Sequence, residues 1–152
     1  MRGSFHISVG PVGAAAGCLF CSIAADQAAA HMVLREAEVC AFLDSRPLFP
    51  GHVLLIPRVH HEQLTDLPPS LLVPVFDAAQ RLAGALVTAV GAQGSFVAMN
   101  NVISQSIPHF HIHVVPRRRK DGLRGFFWPR QRYPDEESAS QTAAAIRSAL
   151  RP

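Results

Sequence analysis

Between Pro108 and Pro116 the chain reads His-Phe-His-Ile-His-Val-Val, with three histidines at every second position. A period of two belongs to a β-strand, whose successive side chains point to opposite faces. His109, His111 and His113 then share one face at steps of about 6.8 Å. Phe110, Ile112 and Val114 share the other, which must meet a core. A helix would scatter the same rings around its circumference. Three meanings are open for the histidine face: a polar strand facing solvent, a metal site, or phosphoryl chemistry. Imidazole suits zinc, but neighbours on one strand rarely converge on a single ion. A neutral imidazole is also a good nucleophile near neutral pH and forms covalent intermediates.

The rest of the chain supplies a sheet for that strand. Residues 19–27 read as a short helix, and 31–36 and 39–44 as strands. Pro47, Pro50 and Gly51 enforce a loop over 45–51, and His52 to Ile56 is a buried strand stopped by Pro57. From Pro68-Pro69 onward, Leu71, Leu72, Val75, Phe76, Ala79, Leu82, Ala83, Leu86, Val87 and Val90 recur at three- and four-residue spacings. That is the stripe of an amphipathic helix, ended by Gly91 and Gly94. Residues 95–100 and 109–115 are two more strands, 117–134 is loop-rich, and 135–150 is a C-terminal helix with acidic residues in its first turn. Strands without crossover helices between most of them predict an α+β fold, an antiparallel sheet of about five strands with one long helix. Residues 1–16 read as a flexible arm and 17–152 as one domain.

With 152 residues, 49% hydrophobic and 16% charged, the chain can bury a core and is not disordered by composition. No uninterrupted apolar run approaches the ~20 residues of a membrane span, and no signal-peptide pattern opens the chain. The expectation is a cytoplasmic protein without membrane partners. A net charge of +3, part of it in the block Arg117 to Lys120, falls short of a nucleic-acid footprint but suffices for a small phosphorylated ligand. Three cysteines, two of them in Cys18-Leu19-Phe20-Cys21, argue for reduced thiols rather than a disulfide framework. The pair alone leaves redox chemistry, buried thiols and metal binding open.

The alternating segment 109–115 meets the pattern His-φ-His-φ-His-φ-φ in full, and the chain resembles the histidine-triad (HIT) superfamily of nucleotide hydrolases and transferases. The resemblance extends to "CLFCSI" (18–23), "AFLDSRPLFPGHVLLIPRVHHEQL" (41–64) and "MNNVISQSIPHFHIHVVPR" (99–117), in the family's order. It implies a HIT-like fold and a homodimer acting on a nucleotide, with no nucleic-acid partner. By resemblance His111 is the nucleophile that attacks the α-phosphorus, giving a nucleotidyl-histidine intermediate. His113 steadies the phosphate, and the backbone at His109 orients the His111 ring. Asn100, Gln105 and Ser106 match phosphate and leaving-group contacts, although Ile103-Ser104 stands where many members carry small residues. Asp44 matches the acidic residue that accepts from the ribose; a loop acid or turn cap is the plainer reading.

Phe20, Ile23, Phe42, Leu43 and Leu54 are candidates for a base pocket or for plain core. Zinc-containing relatives add two histidines to the thiol pair, which implies a structural zinc held by Cys18, Cys21, His60 and His109. The neighbouring His61 is set aside on its offset to Leu64. Cys40 and His52 read as structural residues, and Trp128 as an interface or ligand-lining residue. The implied activity is cleavage at the α-phosphate of a purine nucleotide ester, anhydride or phosphoramidate. A nucleotide-binding module with little turnover, or a nucleotidyltransferase acting on nucleotide sugars or polyphosphates, are the alternatives.

Overall fold

A computed structural model describes residues 13–124 and 131–150. They form two compact units, one ending at Asp121 and one beginning at Gly122. In the first, α1 (Leu19–Ala24) precedes β1 (Met32–Arg35), β2 (Val39–Leu43) and β3 (Val53–Pro57). Helix α2 (Pro69–Val90), β4 (Gly94–Ala98) and β5 (Ile112–Arg117) follow. The second unit carries α3 (Glu136–Ala149), capped by the Asp135 side chain, which accepts from the Ser138 N–H. Trp128 lies outside the described residues, as do residues 1–12 of the N-terminal arm. Residues 13–16 of that arm are seated: His60 N–H donates to Gly13 O at 2.9 Å and Cys18 N–H to Ala15 O at 3.2 Å.

The five strands form one sheet in the order β1-β2-β3-β5-β4, with every neighbouring pair antiparallel. The chain leaves β3, crosses on α2 to the far edge as β4, and returns to insert β5 between them. His113 therefore sits in the middle of the sheet, opposite Leu54 on one side and Ala98 on the other.

Alternation sorts the strands onto two apolar faces. Val39, Ala41, Val53, Leu55, Ile112 and Val114 pack on one face against Leu71, Val75, Ala78, Leu82 and Leu86 of α2. Phe110 joins them with no exposed surface. Cys40, Phe42, Leu54 and Ile56 face the other way, against Phe20, Ile23 and Ala24 of α1. Each fully buried Val, Leu, Ile or Phe among them contributes roughly 1.5–3 kcal/mol of transfer free energy. By length and composition alone α2 qualifies as a membrane span. One stripe of it is buried in this core, whereas Leu72, Val73, Phe76 and Val87 stay exposed. Gly91 ends α2 in the left-handed region at φ 64°, where a side chain would be strained. Gly94 opens β4 rather than ending the helix.

The histidine segment departs from the expected strand 109–115. The ladder begins at Ile112 and continues through Pro116 to Arg117. Pro108 has no N–H, and the backbone at 109–110 is bonded elsewhere: His109 N–H donates to Ile107 O and Phe110 N–H to His61 O. The face alternation survives into this stretch, but His109 and His111 stand just before the sheet and only His113 within it. Pro57, expected as a stop, is the last residue of β3.

Candidate active site

The segment before β5, the loop after β3 and the start of α1 converge on one cluster. There Cys18, Cys21, His60 and His109 bring one ligand atom each within 4.8 Å of one another. Cys18 Sγ lies 3.5 Å from His109 Nδ1, Cys21 Sγ 3.5 Å from the same nitrogen, and Cys21 Sγ 3.4 Å from His60 Nδ1. Tetrahedral zinc, with Zn–S near 2.3 Å and Zn–N near 2.05 Å, sets ligands about 3.6 Å apart along each such edge. The residues therefore fit that ion. His109 Nε2 donates to Pro57 O at 2.9 Å, which leaves the Nδ1 lone pair directed at the sulfurs. Burial is the main reason that the His109 pKa falls to about 4 and that the Cys21 thiol is pushed up. His61 contributes only its carbonyl, to Phe110.

A second group, Asp44, His52 and His113, also lies within 4.8 Å, but its geometry is that of hydrogen bonding. His52 Nε2 and His113 Nδ1 are 2.9 Å apart. Two nitrogens on one tetrahedral zinc would stand about 3.3 Å apart. The Leu48 N–H donates to His52 Nδ1 at 3.1 Å and so occupies that lone pair.

His111 is 3% exposed, and its Nδ1 stands 2.7 Å from the carbonyl oxygen of His109. A carbonyl only accepts, so Nδ1 carries the proton and the lone pair of the neutral ring is on Nε2. The Phe20 ring packs edge-on against the imidazole, centroids 5.3 Å apart, and His113 meets it at 5.0 Å. Burial, then the neighbouring rings His111 and His52, lower the His113 pKa to about 4.

Both rings open onto a cleft of about 760 Å³, shared with Asp44, Ser106 and the apolar side chains Phe20, Ile23, Phe42, Leu43 and Leu54. Asp44 Oδ1 accepts from the Arg46 N–H at 2.8 Å, which makes it a turn cap as well as a wall of the cleft. Two predicted contacts are held elsewhere. The Asn100 amide donates to Ser104 O at 3.2 Å. Gln105 accepts from the Val102 N–H at 2.9 Å and donates to Glu62 O at 2.6 Å. Neither lines the cleft. The basic block is also committed in part, with Arg117 in a two-pronged pair with Asp121 and Arg118 bonded to Val90 O at the end of α2.

Sequence reasoning left His52 as a structural residue. Its hairpin position was the available signal. Leu43 pairs with Val53, which brings His52 beside Asp44. The pairing of Val53 with Val114 then sets the His52 ring diagonally across from His113.

An antiparallel sheet in which an interior strand and the segment leading into it carry three alternating histidines to a thiol cluster and an apolar cleft defines a histidine-triad protein. The HIT domain family model matches residues 25–120, and the chain belongs to that family. It is 35% identical over 138 residues to an uncharacterised HIT-like protein of Mycobacterium tuberculosis, covering 88% of this chain and 92% of that one. It is 34% identical over 119 residues to the adenosine 5′-monophosphoramidase of Saccharomyces cerevisiae, covering 76% and 72% respectively. A zinc-bound histidine triad family protein from Mycobacterium smegmatis superimposes with a TM-score of 0.68 at 35% identity, over 88% of this chain and 98% of that one.

Proposed function

We propose that the protein is a nucleotide hydrolase or nucleotidyltransferase that cleaves at the α-phosphate through a nucleotidyl-His111 intermediate. The observation that carries this is the bond from His111 Nδ1 to the His109 carbonyl, which leaves Nε2 unprotonated beside the cleft. In the first step Nε2 forms the bond to phosphorus while the bond to the leaving group breaks, and the ring's positive charge is shared with the Nδ1–H bonded to His109. In the second, water adds to phosphorus, the P–N bond breaks and the electron pair returns to Nε2, while the proton that water loses balances the one taken up by the leaving group. Walls of Phe20, Ile23, Phe42, Leu43 and Leu54 suit a flat purine. Asp44, His113 and Ser106 line the same cleft, which supports reading them as the ribose acceptor, the phosphate contact and the leaving-group contact. The yeast phosphoramidase supports adenosine phosphoramidates as a first substrate class.

Cys18, Cys21, His60 and His109 would hold a structural zinc, which supplies a fixed cross-link between the N-terminal segment and the nucleophile's neighbour. A homodimer fits the open edge at β4, where Val97 is exposed, and a cytoplasmic location fits the reduced thiols.

The hydrogen bonds that occupy Asn100 and Gln105 favour a second reading, a nucleotide-binding module with slow turnover. The test is incubation with adenosine phosphoramidates, diadenosine polyphosphates and nucleotide sugars. The primary reading expects release of the nucleoside monophosphate. Binding of AMP by calorimetry with no release from any of them would establish the second.

A further inference from the structure

His111 and His113 are the same residue two positions apart, yet the structure gives them opposite proton positions. The Leu48 backbone N–H can only donate, and it points at His52 Nδ1 from 3.1 Å. That nitrogen must therefore be unprotonated, and the neutral His52 ring carries its proton on Nε2. His52 Nε2 is 2.9 Å from His113 Nδ1. The proton there belongs to His52, so His113 Nδ1 accepts and the His113 proton is on Nε2. Asp44 Oδ2, the competing partner among the described residues, is 3.7 Å from His52 Nδ1, too long for a hydrogen bond. His52 is 3% exposed, so water does not replace these partners freely. Burial, its largest influence, lowers the His52 pKa and keeps the ring neutral.

We infer that His52 is a positioning residue: anchored by the Leu48 amide, it holds the His113 proton on Nε2, so that His113 meets the phosphate as a hydrogen-bond donor. The turn over 45–51 thereby sets a proton position at the phosphate site. Without this chain of bonds His113 would distribute between two tautomers, one of which offers a lone pair to a phosphate oxygen and repels it. Gly51 supports the arrangement. Its φ of +98° turns the chain so that His52 stands directly before β3, and an added Cβ would lie 3.3 Å from Val90 Cγ1.

The kinetic part of this inference rests on the proposed activity; the tautomer part needs no substrate. Ring-nitrogen NMR on the 15N-histidine-labelled protein is expected to show His113 protonated on Nε2 alone. His52→Leu, which keeps apolar bulk but has no donor, should give mixed His113 tautomers. It should also lower kcat at least about tenfold with KM little changed, as expected when a tautomer-fixing partner is lost. His52→Gln, whose amide N–H replaces the Nε2 donor, should restore the single tautomer and most of kcat. Leu48→Pro deletes the backbone donor and should mix the His52 tautomers, whereas Leu48→Ala keeps the N–H and the wild-type tautomer. A His113 proton on Nδ1 in the wild type, or on Nε2 alone in folded His52→Leu, would overturn the inference. A wild type inactive on every nucleotide would refute the proposed function and leave the NMR result to decide this one.

Discussion

The Nδ1 of His111 lies 2.7 Å from the carbonyl oxygen of His109, the residue whose own Nδ1 lies 3.5 Å from both Cys18 and Cys21. One histidine thus connects the thiol cluster with the proposed nucleophile: its ring turns toward the sulfurs and its carbonyl accepts from the ring two residues on. The geometry of the cluster and the reactivity of His111 are linked through a single backbone unit.

Metal content is the most direct consequence. Purified protein should contain one zinc per chain by elemental analysis, and Cys18→Ser should lower that content while reducing the thermal midpoint. Chelation of the wild type should reduce the midpoint in the same direction, because binding to the folded state alone stabilises by mass action. Metal-free protein with an unchanged midpoint would remove the zinc assignment.

Replacing the nucleophile should separate chemistry from folding. His111→Ala should reduce nucleoside monophosphate release by at least about a thousandfold, the scale expected when a covalent nucleophile is lost. The variant should still bind AMP. Activity within tenfold of wild type would exclude the covalent route.

The depressed pKa values predict acid sensitivity of known sign. Burial, above all, lowers the His113 pKa to about 4 in the folded protein, against 6.5 for the free side chain. The folded state therefore binds fewer protons than the unfolded state between those values. Stability from this ring is fully present above about pH 6.5 and is lost as pH falls toward 4. His52 is shifted the same way, also by burial. Thermal midpoints measured across this window should fall with pH, and fall less steeply in His113→Asn. Parallel slopes in the two proteins would contradict the assignment.

Core packing gives a stability prediction independent of function. Phe110 has no exposed surface and lies in the cluster beneath α2. Phe110→Ala should destabilise by about 3–5 kcal/mol, read as a lower denaturant midpoint at nearly constant slope. A loss below about 1 kcal/mol would mean that the site collapses around the smaller side chain.

Much of the fold was legible from periodicity. The two-sided strands and most of the α2 stripe follow from spacing, because each element must bury one face, but Leu72, Phe76 and Val87, counted in that stripe, stay exposed. The start of β5 was not legible. Whether 109–111 join the ladder depends on whether their backbone groups pair across the sheet or elsewhere, as His109 N–H does with Ile107 O and Phe110 N–H with His61 O, and alternation is the same in both cases. Asn100 and Gln105 show the same limit. Their residue types suit phosphate contact, but amides are promiscuous, and Ser104 O and Glu62 O are nearer partners in the folded loop.

The order of residues by itself determined that three histidines would share a face backed by Phe110, Ile112 and Val114, and that a thiol pair stood near the N-terminus. The tertiary structure decided which group each histidine ring meets. A ring nitrogen becomes donor, acceptor or candidate ligand according to the group opposite it. For His109 that group is Pro57, 52 residues away, and for His113 it is His52, 61 residues away. Sequence carries the rings, but only the folded chain places a carbonyl or an amide against one nitrogen rather than the other.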